Sequence, residues 1–174
     1  NLDEVYTMSG DFNPDMEADD FYRQSLNIKI THIKHVLKKR FRNEQIARLG
    51  NIHVVYPALS SLAYRTIIRQ ELDKISQRVK GLSGVNFVFD ASVEDMVYRD
   101  SVFPTQGTRP VFASLHHLVK SQVAKFLVFQ KTELPEWSHF SVCFSEGAFR
   151  LSHAGAYNVY AIPVKVNLLE DRKE

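Results

Sequence analysis

The sequence is poor in the features that mark several common protein classes. It contains a single cysteine, Cys143, which excludes an internal disulfide and fits a reducing compartment. No stretch approaches the roughly 18 apolar residues of a membrane-spanning helix, and no secretory signal peptide is visible. The net charge of +2 makes no case for a nucleic-acid partner. We therefore expect a cytoplasmic globular protein that binds neither membranes nor nucleic acids.

The parts of a complete nucleotide-hydrolysing site are also missing. There is no Gly-x-x-x-x-Gly-Lys-Ser/Thr loop to hold phosphates, and no strand that ends in paired acidic residues before a helix. The chain of 174 residues begins with Asn1 rather than methionine. We interpret it as a piece of a longer polypeptide, and this piece cannot hydrolyse ATP by itself.

Residues 1–22 contain no lysine or arginine but seven acidic residues. Gly10 and Pro14 interrupt any regular pattern, so this stretch is predicted to be a solvated and partly disordered lead-in. A carboxylate cluster could bind a divalent cation, but the spacing matches no known metal-binding loop. The acidic residues are Asp3, Glu4, Asp11, Asp15, Glu17, Asp19 and Asp20.

From Phe21 to about Arg42 the apolar residues recur at helical spacing, and the last turns are basic, which suits a helix C-terminus. His32 and His35 share one face of this predicted helix. A zinc site would need two further ligands, so we interpret both as surface histidines.

The most informative stretch is Phe-Pro-Thr-Gln-Gly-Thr-Arg-Pro at residues 103–110. Pro110 suits the first turn of a helix, and Gly107 lets the chain enter it without the restrictions of a Cβ atom. Arg109 then lies at the positive end of the helix dipole, where a cation is useful if it reaches an anion such as a phosphate. The apolar face of the long helix that follows is predicted to consist of Phe112, Leu115, Val119, Val123 and Phe126.

Gly-Thr-Arg-Pro at residues 107–110, with Phe-Pro before it and a long helix after it, resembles the sensor-two Gly-Ala-Arg-Pro motif. That motif belongs to the C-terminal small domain of Clp/ClpB-type AAA+ unfoldases. The resemblance extends over roughly residues 41–128. It implies that Arg109 contacts the nucleotide of its own subunit, with Gly107, Thr108 and Pro110 forming the cofactor-binding turn.

Residues 41–50, Phe-Arg-Asn-Glu-Gln-Ile-Ala-Arg-Leu-Gly, resemble the Phe-Arg-Pro-Glu-Phe-Leu-Asn-Arg-Ile-Asp segment of the same family. The match implies that Arg48 is an arginine finger, which acts in trans on the neighbouring subunit's nucleotide. The sequence departs from the family at Asn43, Gln45, Ala47 and Gly50. A surface arginine at a helix end is the alternative interpretation of Arg48.

The remaining pattern predicts an α+β fold, with a helical lid domain, a small and mostly antiparallel sheet, a C-terminal hairpin and an edge strand. Ser60 or Ser61 caps a helix, Gly81 and Gly84 end it, and a strand follows at residues 85–89. Alternation at residues 140–144 and 160–166 predicts further strands, and Pro163 favours a sheet edge.

The resemblance, together with these elements, divides the chain into five segments. Residues 1–22 are the acidic lead-in and residues 23–59 the end of the large AAA+ subdomain. Residues 60–132 form the lid, residues 133–166 a C-terminal β segment and residues 167–174 a charged tail.

The resemblance further implies ATP as the cofactor, with magnesium held by residues outside this chain. It implies two kinds of partner for the full-length protein, namely neighbouring copies of itself in a ring and a polypeptide substrate. The isolated piece is expected to be a monomer. The alternative is a non-catalytic protein interaction module, in which the sheet edge and the basic helix end dock a partner and residues 107–110 form only a helix cap.

Overall fold

A computed structural model describes residues 14–48, 54–153 and 156–163 of the chain. Its helices and strands are α1 (Pro14–Leu26), α2 (Ile30–Arg40), α3 (Asn43–Ala47), α4 (Ser61–Ser83), β1 (Asn86–Phe89), α5 (Ala91–Ser101), α6 (Arg109–Ser114), α7 (Ser121–Glu133), β2 (His139–Ser145), β3 (Ala148–His153) and β4 (Ala156–Pro163). The 3-10 turn Pro104–Gln106 precedes α6, and the π-helical turn Leu115–Lys120 joins α6 to α7. Each helix among these residues is too short or too polar to cross a membrane.

The four strands form one mixed sheet in the order β1-β2-β3-β4. β1 and β2 are parallel, with Phe87 opposite Phe140, and the other two pairings are antiparallel. The mainly helical chain with this small sheet confirms the predicted α+β class. β1 precedes the long helix, residues 109–133, and β2 follows it. The sheet therefore joins the predicted lid segment, residues 60–132, to the predicted C-terminal β segment, residues 133–166.

The predicted hairpin between β2 and β3 is confirmed. Glu146 and Gly147 occupy its two-residue loop with φ of 50° and 69°, as a type I′ turn requires. β4 lies at the sheet edge, as Pro163 predicts. The predicted continuation through Val164 and Val166 lies outside the described residues.

The predicted cap of α4 is confirmed. The Ser60 hydroxyl accepts a hydrogen bond from the Ala63 amide at 3.2 Å. Gly84, at φ 75°, ends the helix, whereas Gly81 lies within it. The buried side chains of α4 are Tyr64, Ile68, Leu72 and Ile75.

The single helix predicted from Phe21 to Arg42 is wrong. The structure has two helices, α1 and α2, which are separated by a turn at residues 27–29. α1 begins at Pro14, inside the acidic stretch, and buries Ala18 completely in the core. Tertiary packing thus orders a segment whose composition favours solvation, because its carboxylates find partners on α4.

The long helix, residues 109–133, buries a face that differs from the predicted one at its first position. Phe112 is 47% exposed, and Val111 is buried in its place. The π-helical turn provides the reason, because its wider winding puts the buried residues four apart through this part of the helix. The buried apolar residues of the long helix are Val111, Leu115, Val119, Val123 and Phe126.

α5 also begins at a side-chain cap. Asp90 is the N-cap, and its carboxylate accepts a hydrogen bond from the Ser92 amide at 2.8 Å. This hydrogen bond lowers the pKa of Asp90. Met96 and Val97 of this helix are buried in the core.

One hydrophobic core connects the helices and the sheet. Phe87 of β1 is fully buried, with its ring 5.8 Å from that of Phe140 and 6.3 Å from that of Phe126. These contacts tie β1 to β2 and to the long helix. Val88, the next residue along β1, is 56% exposed.

Substituting Phe87 with alanine is expected to lower the free energy of unfolding by about 3–5 kcal/mol, because it leaves a cavity between two helices and the sheet. Val88→Ala on the same strand should change it by less than about 1 kcal/mol. Urea denaturation followed by circular dichroism measures both values. Equal losses for the two variants would contradict the assigned core.

Candidate functional site

The predicted turn at residues 103–110 links α5 to the long helix. α5 ends at Ser101, Val102 is fully buried, and a 3-10 turn follows at Pro104–Gln106. Phe103 and Gly107 form an isolated antiparallel bridge across that turn. The chain therefore enters the long helix from a closed loop that is anchored in the core by Val102.

Gly107 has a backbone conformation that other residues rarely adopt. Its φ and ψ are 65° and −144°, a combination that is nearly exclusive to glycine. A Cβ atom at this position would meet no heavy atom within 4 Å. Backbone conformation, and not lack of space, is therefore what requires glycine here.

Arg109 is the first residue of α6, and Pro110 occupies the first turn as predicted. The Arg109 side chain is exposed, and its guanidinium forms no ion pair within the part of the chain that the structure describes. Thr108 is the N-cap residue but its side chain makes no capping hydrogen bond. An exposed, unpaired arginine at the start of a helix can bind an anion such as a phosphate.

Arg48 lies at the other predicted position, on the C-terminal side of α3. It is exposed, and its amide donates to the Glu44 carbonyl at 3.3 Å. No described hydrogen bond or ion pair connects Arg48 with Arg109. The structure thus presents two separate exposed arginines and does not join them into one site within the monomer.

A cluster of charged residues between α1, α4 and α5 was not found from the sequence pattern. Arg65 of α4 contacts Asp95 at 2.6 Å, Asp15 at 3.6 Å and Glu94 at 3.7 Å. Its guanidinium also lies 4.3 Å from the centre of the Tyr98 ring. These contacts leave only 29% of the Arg65 side chain exposed.

The electrostatics of this cluster follow from burial and from the carboxylates. Burial alone would lower the pKa of Arg65, but the hydrogen bond to Asp95 and the charges of Asp15 and Asp95 raise it overall. Burial, followed by the charge of Asp15, raises the pKa of Tyr98. Arg69 forms a two-pronged pair with the buried Glu94, at 3.0 and 3.1 Å. The charged groups of this cluster connect α4 with α1 and α5.

The described residues contain no group of three or more His, Cys, Asp or Glu side chains placed to hold a metal ion. His32 and His35 are both exposed and at least partly solvated on α2. The residues present fit only one part of a nucleotide site, namely a cation that contacts phosphate. A loop that would hold the phosphates is absent from the sequence.

Comparison with known proteins shows similarity to chaperones. The chain is 30% identical over 92 residues to the chaperone protein ClpB of Mycoplasma genitalium, covering 53% of this chain and 13% of that protein. It is 24% identical over 110 residues to the chaperone protein ClpB of Prochlorococcus marinus, covering 63% of this chain and 12% of that protein. No family model matches the chain.

These matches support a relationship to Clp-type AAA+ chaperones. The matched region corresponds to about an eighth of each chaperone's length, 13% and 12%.

Gly107→Ala is expected to lower the free energy of unfolding by about 1–3 kcal/mol, because alanine must adopt a strained conformation in the turn. Gly81→Ala provides the matched control, since Gly81 lies inside α4 with open space around it. That control should stabilise the protein by about 0.5–1 kcal/mol. Thermal and urea unfolding measure both effects, and a neutral Gly107→Ala would contradict the assigned turn.

Proposed function

We propose that this chain is the C-terminal part of a Clp-type AAA+ ATPase and that Arg109 is its sensor-two arginine. The observation that carries the proposal is the exposed, unpaired guanidinium of Arg109 at the start of the long helix. The similarity to two ClpB chaperones supports the same function. The turn formed by Gly107, Thr108 and Pro110 positions this arginine.

In this function Arg109 binds a phosphate of ATP that is held mainly by residues outside the chain. The planar guanidinium matches phosphate oxygens in a two-pronged contact, which lysine cannot reproduce. ATP with its magnesium supplies the phosphoryl-transfer chemistry when bound. The magnesium ligands also belong to residues outside this chain.

The long helix connects Arg109 to the sheet. Gln130, buried near its end, donates a hydrogen bond to the Trp137 carbonyl at 2.9 Å, just before β2. A change in the phosphate contact at Arg109 can therefore turn the helix and the sheet as one body.

Arg48 serves as the arginine finger of the neighbouring subunit in this proposal. Its exposure at the end of α3, away from any described partner, leaves it available to a second copy. The assembled protein is a cytoplasmic ring of such copies that acts on a polypeptide substrate. In chain order, the acidic lead-in at residues 1–22 is followed by the end of the large subdomain at 23–59 and by the lid at 60–132. Residues 133–166 complete the sheet of the lid, and residues 167–174 form the charged tail.

Arg109→Ala in the longer protein is expected to reduce ATP turnover by about 10- to 100-fold, because one charge-assisted phosphate contact is lost. Arg109→Lys should restore only part of the activity, since the charge remains but the two-pronged geometry does not. Lys120→Ala, on the exposed side of the same long helix, is the control and should leave turnover unchanged. Steady-state phosphate release measures all three variants.

Unchanged turnover in Arg109→Ala would reduce the turn to a helix cap and refute sensor two. A longer protein without any ATPase activity would favour the interaction module.

A role for Arg48 in trans predicts a specific result from mixed rings. Arg48→Ala subunits mixed with subunits that lack a working phosphate loop should recover part of the ATPase activity, because each copy supplies what its neighbour lacks. Arg40→Ala, an exposed cation at the end of α2, is the matched control and should behave as wild type. Activity that depends only on the intact phosphate loop within each subunit would contradict the finger assignment.

A further inference from the structure

Two matched pairs of residues join α1 to the start of α4. Asp15 and Asp19 are four residues apart on α1, so they share one face of that helix. Their partners on α4, Ser61 and Arg65, are also four residues apart. Asp19 accepts hydrogen bonds from the Ser61 amide at 2.8 Å and from the Ser61 hydroxyl at 2.9 Å. Asp15 pairs with Arg65 at 3.6 Å, so the two helices run in opposite directions along this contact.

The contact at Asp19 also completes the N-terminus of α4. The first amides of a helix have no partner within the helix, and they attract negative charge. The Ser60 hydroxyl accepts a hydrogen bond from the Ala63 amide, and Asp19 accepts one from the Ser61 amide. α1 therefore supplies a carboxylate to the positive end of α4.

Burial of apolar side chains contributes little to the docking of α1. Ala18 is the only apolar residue that is buried among the described side chains of this helix, whereas Met16 is 63% exposed and Leu26 is 56% exposed. The Asp15 carboxylate is itself 53% exposed, and exposed ion pairs stabilise a protein only weakly. α1 is therefore held mainly by polar contacts that water can replace.

Glu17 weakens the docking of α1 further. One of its carboxylate oxygens, Oε1, is removed from solvent and has no hydrogen-bond partner within the described residues. Burial accordingly raises the pKa of Glu17. At neutral pH the docked helix therefore keeps a charged oxygen away from water without a partner, a cost that a solvated helix does not have.

We propose that α1 is a releasable clasp on α4, which is closed by Asp15 and Asp19 and weakened by Glu17. The clasp opens while the hydrophobic core stays folded, because α1 adds little to that core. α4, in contrast, stays closed through its buried side chains, which are Tyr64, Ile68, Leu72 and Ile75.

The clasp also lies against the turn that carries Arg109. α1 packs against the 3-10 turn Pro104–Gln106, which precedes α6, so an open clasp removes a contact from that turn. In the proposed function, the clasp joins the lid at residues 60–132 to the helix before it, and its release leaves the lid free to turn. This consequence rests on the proposed function, whereas the opening of α1 does not.

Native-state hydrogen exchange of this chain, followed amide by amide by NMR at neutral pH, tests the clasp. In the wild type, the α1 amides should be protected on the order of 100-fold less than the amides of the buried part of α4, because α1 opens locally. Asp19→Ala should speed the exchange of the α1 amides and of the Ser61 amide on the order of tenfold, because two hydrogen bonds to a charged group are lost. The amides of the buried part of α4 should keep their rates.

Glu17→Gln should have the opposite effect and slow the exchange of the α1 amides by about threefold or more, because the unpartnered charge is removed. This variant also provides an independent reading if Asp19→Ala fails to fold. Glu17 lies in the first turn of α1, where a negative charge stabilises a helix. Loss of that charge alone would therefore speed exchange, so slower exchange identifies the release of the docking cost.

Asp20→Asn is the matched control. Asp20 lies on the same helix and forms an ion pair with Arg23 of α1 itself, at 3.0 Å. This variant should change the exchange of the α1 amides by no more than about twofold. The proposal would be overturned by α1 amides as protected as those of the buried part of α4, by equal responses of both sets to Asp19→Ala, or by faster exchange in Glu17→Gln.

The measurement uses no nucleotide, so its result is independent of the ATPase assignment. An opening clasp in a longer protein without ATPase activity would refute only the proposed function. An α1 that opens only when the whole chain unfolds, in a longer protein that hydrolyses ATP, would refute only the clasp.

Discussion

The parallel pairing of β1 with β2 is the constraint on which the rest of the structure depends. Parallel neighbours require a long crossover connection, and here that connection holds α5, the turn and the long helix. Both ends of the crossover are fixed by hydrogen bonds to the sheet. The Asn86 amide donates to the Ser138 carbonyl at 2.7 Å, and the Asp90 amide donates to the Val142 carbonyl at 2.8 Å.

Arg109 lies in the middle of this crossover, at its turn. The core fixes the turn through Val102 before it and Val111 after it, both fully buried. These buried neighbours set the backbone position of Arg109. Because its side chain stays exposed, the guanidinium can contact an anion. Polar links between helices add to this rigidity, as in the 2.8 Å hydrogen bond from the Ser114 hydroxyl to Asp100.

The sequence pattern predicted the local features well. Glycine, proline and serine placed the hairpin, the cap of α4 and the first turn of α6, because each requirement is local to a few residues. The tertiary features could not be predicted this way. Regular helical periodicity does not reveal a π-helical turn. It therefore predicted that Phe112 is buried, whereas Val111 is the buried residue.

Acidic composition likewise gives no information about a partner 42 residues away, as Asp19 and Ser61 have. Arg65 illustrates the same limit, since its partners come from two other helices. The motif at residues 107–110 was recognised by resemblance, and its geometry agrees with an exposed arginine at a helix start.

The most direct test of the central claim is a structure of the longer protein bound to a slowly hydrolysed ATP analogue. The account predicts that the Arg109 guanidinium lies within about 2.7–3.2 Å of a phosphate oxygen of the nucleotide in its own subunit. A nucleotide whose phosphates lie beyond the reach of Arg109 in every subunit would contradict the claim.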